Sequence, residues 1–349
     1  MSAHVIGQSI ARSFQGARSL TWPTPDGWHR LAALSAMLLL SGQTLSDGML
    51  FAAPNDAARS ESGSGGVVAV PGGSGTDTRG DALFGGYVGI PWHHRSDIHM
   101  TRPDGTDVTL KKLRWDGEPF NFPLYAGVRG VRWSGPFGGM IDFLHDKAIA
   151  RTGKGAHGRK VTGERAIPDV VEAEGLLKGQ PVTSPIKLTD VLERLEFSHG
   201  HNLLLPTALL RFGGIATRWR PYVGLGAGVA LPHVEVWPKG EGEEPKTNEY
   251  QAAGPAMQVV AGIELQGARG SYFVEYKFTY ASLSTALTGG KTPSWCNCDI
   301  VSDFARHIMN WWSGTEPRYG HLDTTIAAHQ IVGGAGYRPG SSVVPTPAQ

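Results

Sequence analysis

The stretch Arg220 to Gly270 decides the fold: RPYVGLGAGVALPHVEVW, a polar Glu-rich loop, then YQAAGPAMQVVAGIELQGARG. Taken in steps of two, Val223, Leu225, Ala227, Val229 and Leu231 share one face. Tyr222, Gly224, Gly226, Gly228 and Ala230 share the other. Pro255, Met257, Val259, Ala261, Ile263 and Leu265 oppose Gly254, Ala256, Gln258, Val260, Gly262 and Glu264 in the same way. A period of two means strand, because successive Cβ atoms leave opposite faces. In a soluble sandwich the apolar face looks inward and the other face is polar surface. Here the second face is mostly Gly and Ala. That suits the crowded interior of a small closed barrel whose apolar side chains point into lipid. The expectation is an all-β, transmembrane antiparallel up-and-down β-barrel. A soluble β-sandwich is the alternative.

Working outward, short turns and long loops should alternate, with the short turns periplasmic. Strands are expected at 83–101, 107–133, 137–146, 202–217, 271–283 and 321–338, besides the two in the opening stretch. Long outside loops fall at 147–201, 238–248 and 284–320. The segment 107–133 is broken around 116–123. It counts as one strand for a total of eight, or as two for a total of nine. An even count with both ends periplasmic favours eight. In 271–283, Val274, Tyr276, Phe278 and Tyr280 should face out, and Glu275, Lys277 and Thr279 in. Gln258, Glu264 and His329 are also expected to point inward.

The remaining segments divide simply. Residues 1–53 carry Arg12, Arg18 and Arg30 ahead of the apolar run LAALSAMLLL (Leu31 to Leu40), the pattern of a secretory signal. Residues 54–80 are Ser/Gly-rich and expected to be a disordered linker, 81–338 form the barrel, and 339–349 are a Pro/Ser tail. The chain has 349 residues, 48 of them Gly and 23 Pro, without a collagen period. No run reaches the roughly 18 apolar residues of a membrane helix. Mean hydropathy is −0.18, which alternating strands do not raise. A net charge of +1 carries no electrostatic footprint for nucleic acid. Cys296 and Cys298 are too few for a disulfide scaffold or a zinc finger and read as loop residues.

Chemistry is expected where polar residues gather at strand tops. LEFSHGHN (Leu195 to Asn202) brings Glu196, His199 and His201 within a few residues. IDFLHDK (Ile141 to Lys147) contributes Asp142, His145 and Lys147 at the same extracellular rim. Histidines beside carboxylates suit general acid–base work, since imidazole titrates near neutrality. His199, His201 and Glu196 could equally ligate a divalent metal. For Asp142 and Glu275 the competing reading is an interior salt bridge with Lys277, Arg129 or Arg211. Arg151, Lys154, Arg159 and Lys160 stud the loop after IDFLHDK, where they could meet lipid phosphates or be ordinary solvated charges.

Two segments, DVTLKKLRWDGEPFNFPLYAGVRGVRW (Asp107 to Trp133) and IDFLHDK followed by LEFSHGHN, together with the PYVGLGAG strand, resemble the outer-membrane lipid A oxidases of α-proteobacteria. The resemblance covers roughly 81–338. It implies a monomer of the bacterial outer membrane with lipid A, or lipopolysaccharide, as partner. It also implies oxygen-dependent oxidation of the proximal glucosamine to aminogluconate, with peroxide as by-product. Lipid A deacylase barrels use a Ser/His/acid triad, and no His-x-Ser pair stands on an inner strand face here. A non-catalytic surface barrel is the other class of function the sequence allows.

Overall fold

A computed structural model of the chain describes residues 81–213, 218–267, 270–290 and 300–338. The signal segment, the linker, the tail and the Cys296/Cys298 pair lie outside the described residues. The structure is mostly antiparallel β. Eight strands form a ring in which each strand neighbours the next in sequence: β1 (Asp81–His93), β2 (Ala126–Ser134), β3 (Phe137–Ala150), β4 (Leu192–Arg211), β5 (Trp219–Ala230), β6 (Gly254–Gln266), β7 (Gly270–Ala286) and β8 (His321–Tyr337). The ring closes where β1 pairs with β8, from Phe84 opposite Tyr337 to His93 opposite Ala328.

The alternation seen in the sequence sets which side chains fill the ring. In β5 and β6, Tyr222, Ala256, Gln258, Val260 and Glu264 are buried, while Val223, Leu225, Met257, Val259 and Ile263 are exposed. β7 follows the same rule, with Phe273, Glu275, Lys277 and Thr279 inside. Two close approaches demand glycine in the inner row. A Cβ on Gly127 would lie 2.0 Å from the Tyr87 ring, and one on Gly228 would lie 1.9 Å from the Leu204 carbonyl oxygen. The inner volume is thus shared between large polar side chains and glycine.

The interior is closed by paired charges. Arg129 donates to Glu275 at 2.8 Å, and Tyr222 donates to the same carboxylate at 2.7 Å. Lys277 donates to Asp142, and Tyr87 donates to Asp142 at 2.8 Å. Tyr125 donates to Gln330 at 2.6 Å, and Gln330 donates to Thr279 at 2.8 Å. Desolvated charges persist only when paired and hydrogen-bonded, and here each has a counter-charge or a phenol.

Several sequence expectations need correction. His329 faces out, not in: Gln330 pairs across from Lys277 and is buried, and His329 instead meets Tyr276 on the outer face at 2.6 Å. The 321–337 run has no strong apolar alternation to fix its phase. The segment 83–101 breaks at His94–Arg95 into β1 and a rim strand Ser96–Thr101, which turns through 102–106 into Asp107–Leu113. The long loop 147–201 is shorter than expected. β3 runs to Ala150 and β4 starts at Leu192, and the intervening chain carries short strands such as Ala173–Leu177, paired with Asp107–Leu113. The polar loop after β5 is a hairpin of His233–Pro238 and Thr247–Tyr250. Before β8, Ile300–Trp312 is a helix.

Candidate functional site

Above the ring, the upper part of β4 pairs with the hairpin strand His233–Pro238, placing Glu196 opposite Glu235. Period two in HVEVW sends Val234 and Val236 into the apolar core and His233 and Glu235 to the opposite face. β4 carries an irregularity between Phe197 and His201, where Gly200 adopts φ 135°. A side chain is strained at that φ, so glycine is what lets the strand bulge there. Four residues here, Phe197 to His201, span only two of β3, Ala148 to Asp146, so the strand keeps its phase while His199 leaves the face that Phe197 and His201 share. Phe197 and His201 turn one way, and Glu196 and Ser198 the other.

Glu235 is the centre of the site. It is fully buried. Its Oε1 accepts from His199 Nδ1 at 2.7 Å and from Ser198 Oγ at 3.2 Å, and lies 3.5 Å from His233 Nδ1. Its Oε2 accepts from Arg194 at 2.8 Å. The loop above adds His157, whose ring packs 4.1 Å from that of His199. The His157 backbone N–H donates to Glu196 at 3.0 Å. His233 meets His199 edge-on at 4.7 Å on one side and Tyr250 edge-on at 4.7 Å on the other. His157 sits at φ 57°, ψ 26°, a left-handed conformation that costs an ordinary residue about 1–2 kcal/mol. The surrounding contacts hold the imidazole there.

Charge is divided unevenly between the two carboxyls. Burial, and then the charge of Glu235, push the Glu196 carboxyl well above its ordinary range. Burial would raise Glu235 too, but donation from His199 and His233 and the Arg194 charge outweigh it and hold Glu235 well below. Burial, reinforced by the neighbouring His199, lowers His157 to about 4. Near neutral pH the site therefore holds one carboxylate, one carboxylic acid and, at His157, a neutral imidazole. His157, His199 and Glu235 each offer a ligand atom, all within 4.8 Å of one another.

The expected residues are only partly brought together. Glu196 and His199 do converge, on Glu235. His145 Nδ1 instead bonds the Asn202 side chain at 2.8 Å, one step down the same strand pair. His201 does not join them. The bulge turns it towards Asp146, which faces it across β3, and Asp146 is bonded to His93 at 2.9 Å. Both ring nitrogens of His201 are buried without a hydrogen bond among the described residues. Asp142 does not reach the rim. It lies inside the ring against Lys277, the salt-bridge reading, and Glu275 does the same with Arg129. Arg151 is held by Asp116 at 3.0 Å and Arg159 by Glu118 at 3.3 Å, whereas Lys154 and Lys160 are exposed and adjacent. The sequence reading missed Glu235, His233, Ser198 and His157. No protein-family model and no curated protein matches the chain.

Proposed function

We propose that this protein is a bacterial outer-membrane barrel that modifies lipid A at the His157/His199/Glu235 cluster. The observation that carries this reading is where the cluster stands. It lies on the strand faces that, lower down, expose a continuous apolar surface. Exposed Phe84, Val128, Ile141, Leu225, Val274 and Ile331 recur around the ring, and Phe84, Trp219, Tyr272 and Tyr337 gather near one end, as an interfacial aromatic girdle does. An outer groove of about 1310 Å³ runs over β1–β5, floored by Gly130, Gly139 and Ala208 and walled by Phe84, Ile141 and Phe143. Two residues up β3 from Phe143 comes His145, and beyond it the cluster. A lipid with an acyl chain in the groove would present its head group there.

The charge pattern fits a phosphorylated sugar head. Lys154 and Lys160 are exposed cations of the neighbouring loop with no ion pair among the described residues, while Arg151 and the exposed Arg159 pair with Asp116 and Glu118. Oxidation of the proximal glucosamine, the activity implied by the resemblance, is the form of the reaction proposed. The anomeric carbon of the free hemiacetal would lose its hydrogen, its hydroxyl would lose a proton, and two electrons would pass to dioxygen, giving the lactone and hydrogen peroxide; water would then open the lactone to the aminogluconate. Glu235 and the imidazoles would take the hydroxyl proton, with the Glu196 acid as a proton donor. The protein would act as a monomer, since its residues complete the site within one chain.

One observation favours a second reading. Ser198 Oγ lies 3.4 Å from His157 Nδ1 and donates to Glu235, a Ser/His/acid grouping that could remove an acyl chain. Mass spectrometry of lipid A from cells with and without the chain separates the two. A rise of one oxygen in mass, dependent on air and lost in His199→Ala, supports the oxidase. Loss of an acyl chain that disappears in Ser198→Ala supports the deacylase. Identical spectra overturn both and leave a non-catalytic barrel.

A further inference from the structure

We infer that His157, His199 and Glu235 form a binding site for a single divalent transition-metal ion, with an open coordination position towards the rim. The inference deepens the reading of this cluster as the working centre and rests on it for what the metal would do. Among the described residues these are the one group of three whose ligand atoms come together. Ligands of an ion bound at about 2.1 Å lie at most about 4.2 Å apart. The three ligand atoms all lie within 4.8 Å of one another, so only a small closing movement is needed, and His157, on a loop, can make it.

The ligand types narrow the ion. Two imidazoles and one carboxylate suit zinc or ferrous iron, and not calcium or magnesium, which prefer oxygen alone. Three further features match a ligand set rather than a filler network. Glu235 is oriented by Arg194 on the oxygen not shared with His199, as second partners orient metal carboxylates. His157, its Nδ1 3.4 Å from Ser198 Oγ, is held in a left-handed conformation, the kind of backbone outlier that gathers at functional positions. His157 and His199 are both half-buried while Glu235 is fully buried, so the free side of an ion would face outwards.

The site differs from the triplet His199, His201 and Glu196 that the sequence suggested. The bulge at Gly200 removes His201, and the partner of His199 is Glu235. His233 touches the same carboxylate oxygen and could serve as a fourth ligand or as an orienting donor.

The test uses the untagged, detergent-folded protein, stripped with chelator and titrated with Co²⁺ and Zn²⁺. The expected result is one equivalent of tightly bound metal, with a visible Co²⁺ absorption band. Glu235→Gln, of the same shape, and His157→Ala, outside the ring, should each weaken binding about 100-fold or more, whereas His321→Ala should bind as wild type. Heat-dependent gel mobility checks that each variant is folded; if Glu235→Gln is not, His157→Ala decides. Wild-type affinity in both folded variants, or no saturable binding at all, overturns the site. Lipid A spectra from the same strains keep the two readings apart. Metal bound at the triad with unchanged lipid A sinks the lipid-modifying reading alone. Altered lipid A with no metal at the triad sinks the metal site alone.

Discussion

The ring interior and the rim both bury ionisable groups, yet they solve the problem in opposite ways. Inside the ring each charge meets an opposite charge. Lys277 faces Asp142, and Arg129 faces Glu275, with Tyr87 and Tyr222 donating to the same carboxylates. At the rim, three imidazoles and a second carboxyl crowd around one carboxylate, and only Arg194 brings a fixed positive charge. The first arrangement balances its charges. The second gathers several lone-pair donors around a single carboxylate. Completed networks rigidify a fold, while incomplete ones are available for ligands and protons.

The largest effect should come from breaking the interior. Lys277→Met leaves Asp142 buried without its counter-charge and should cost about 3–5 kcal/mol of stability in detergent unfolding. The double variant Asp142→Leu/Lys277→Met should recover most of that loss. Failure of the double variant to recover would mean the pair does more than neutralise itself. Neither change should alter the rim, which makes equal loss of rim integrity in both variants a sign that the two regions are one unit.

A smaller effect tests the outer surface. Leu225 is 66% exposed. On a water-facing surface Leu225→Arg should change stability by less than about 0.5 kcal/mol. At the middle of a lipid-facing band the same change should cost about 2–4 kcal/mol. Unfolding measurements in lipid vesicles distinguish the two values directly, and the smaller one would remove the membrane from the proposed function.

Much of the ring was legible because its signal is local. Gly/Ala on one face and Val, Leu, Met on the other fixed the phase of β5 and β6, and Glu275, Lys277 and Thr279 against Val274, Tyr276 and Phe278 fixed that of β7, without reference to any neighbour. The phase of β8 was lost because HLDTTIAAHQIVGGAGY places small or polar residues on both faces, so His329 and Gln330 could each have been the inner one. The site was legible in half. Glu196 and His199 stand out as a polar cluster at a strand top. The bulge that separates His199 from His201 depends on how β4 pairs with β3, which no window of sequence contains. HVEVW did carry a readable signal, since alternation puts His233 and Glu235 together, but the expectation gave it no role. His157 had no signal beyond a glycine-rich loop, because its place is set by a contact across 41 residues with Ser198.

The smallest expected effect is that of acid on the rim, and its sign can be worked out group by group. His157 titrates at about 4 when folded against about 6.5 when open, so the open loop takes up the proton first. Its contribution to closure is complete above about pH 6.5 and is lost as the pH falls towards 4. Glu235, held low, contributes closure above its ordinary value near 4.5 and loses it below. Glu196 acts in the opposite sense. Its raised value means closure is favoured below about 4.5 and weakened as the pH rises from there, so mild acid strengthens what His157 gives up. The two should largely cancel between about pH 6.5 and 4.5. Below that, His157 and Glu235 act together and Glu196 has nothing more to add. Amide exchange, corrected for intrinsic rate, should therefore show residues 155–160 losing protection mainly below about pH 4.5, while β7 stays protected. Protection lost already between about pH 7 and 6 would place an unshared imidazolium in the site and undo the division of charge between Glu196 and Glu235.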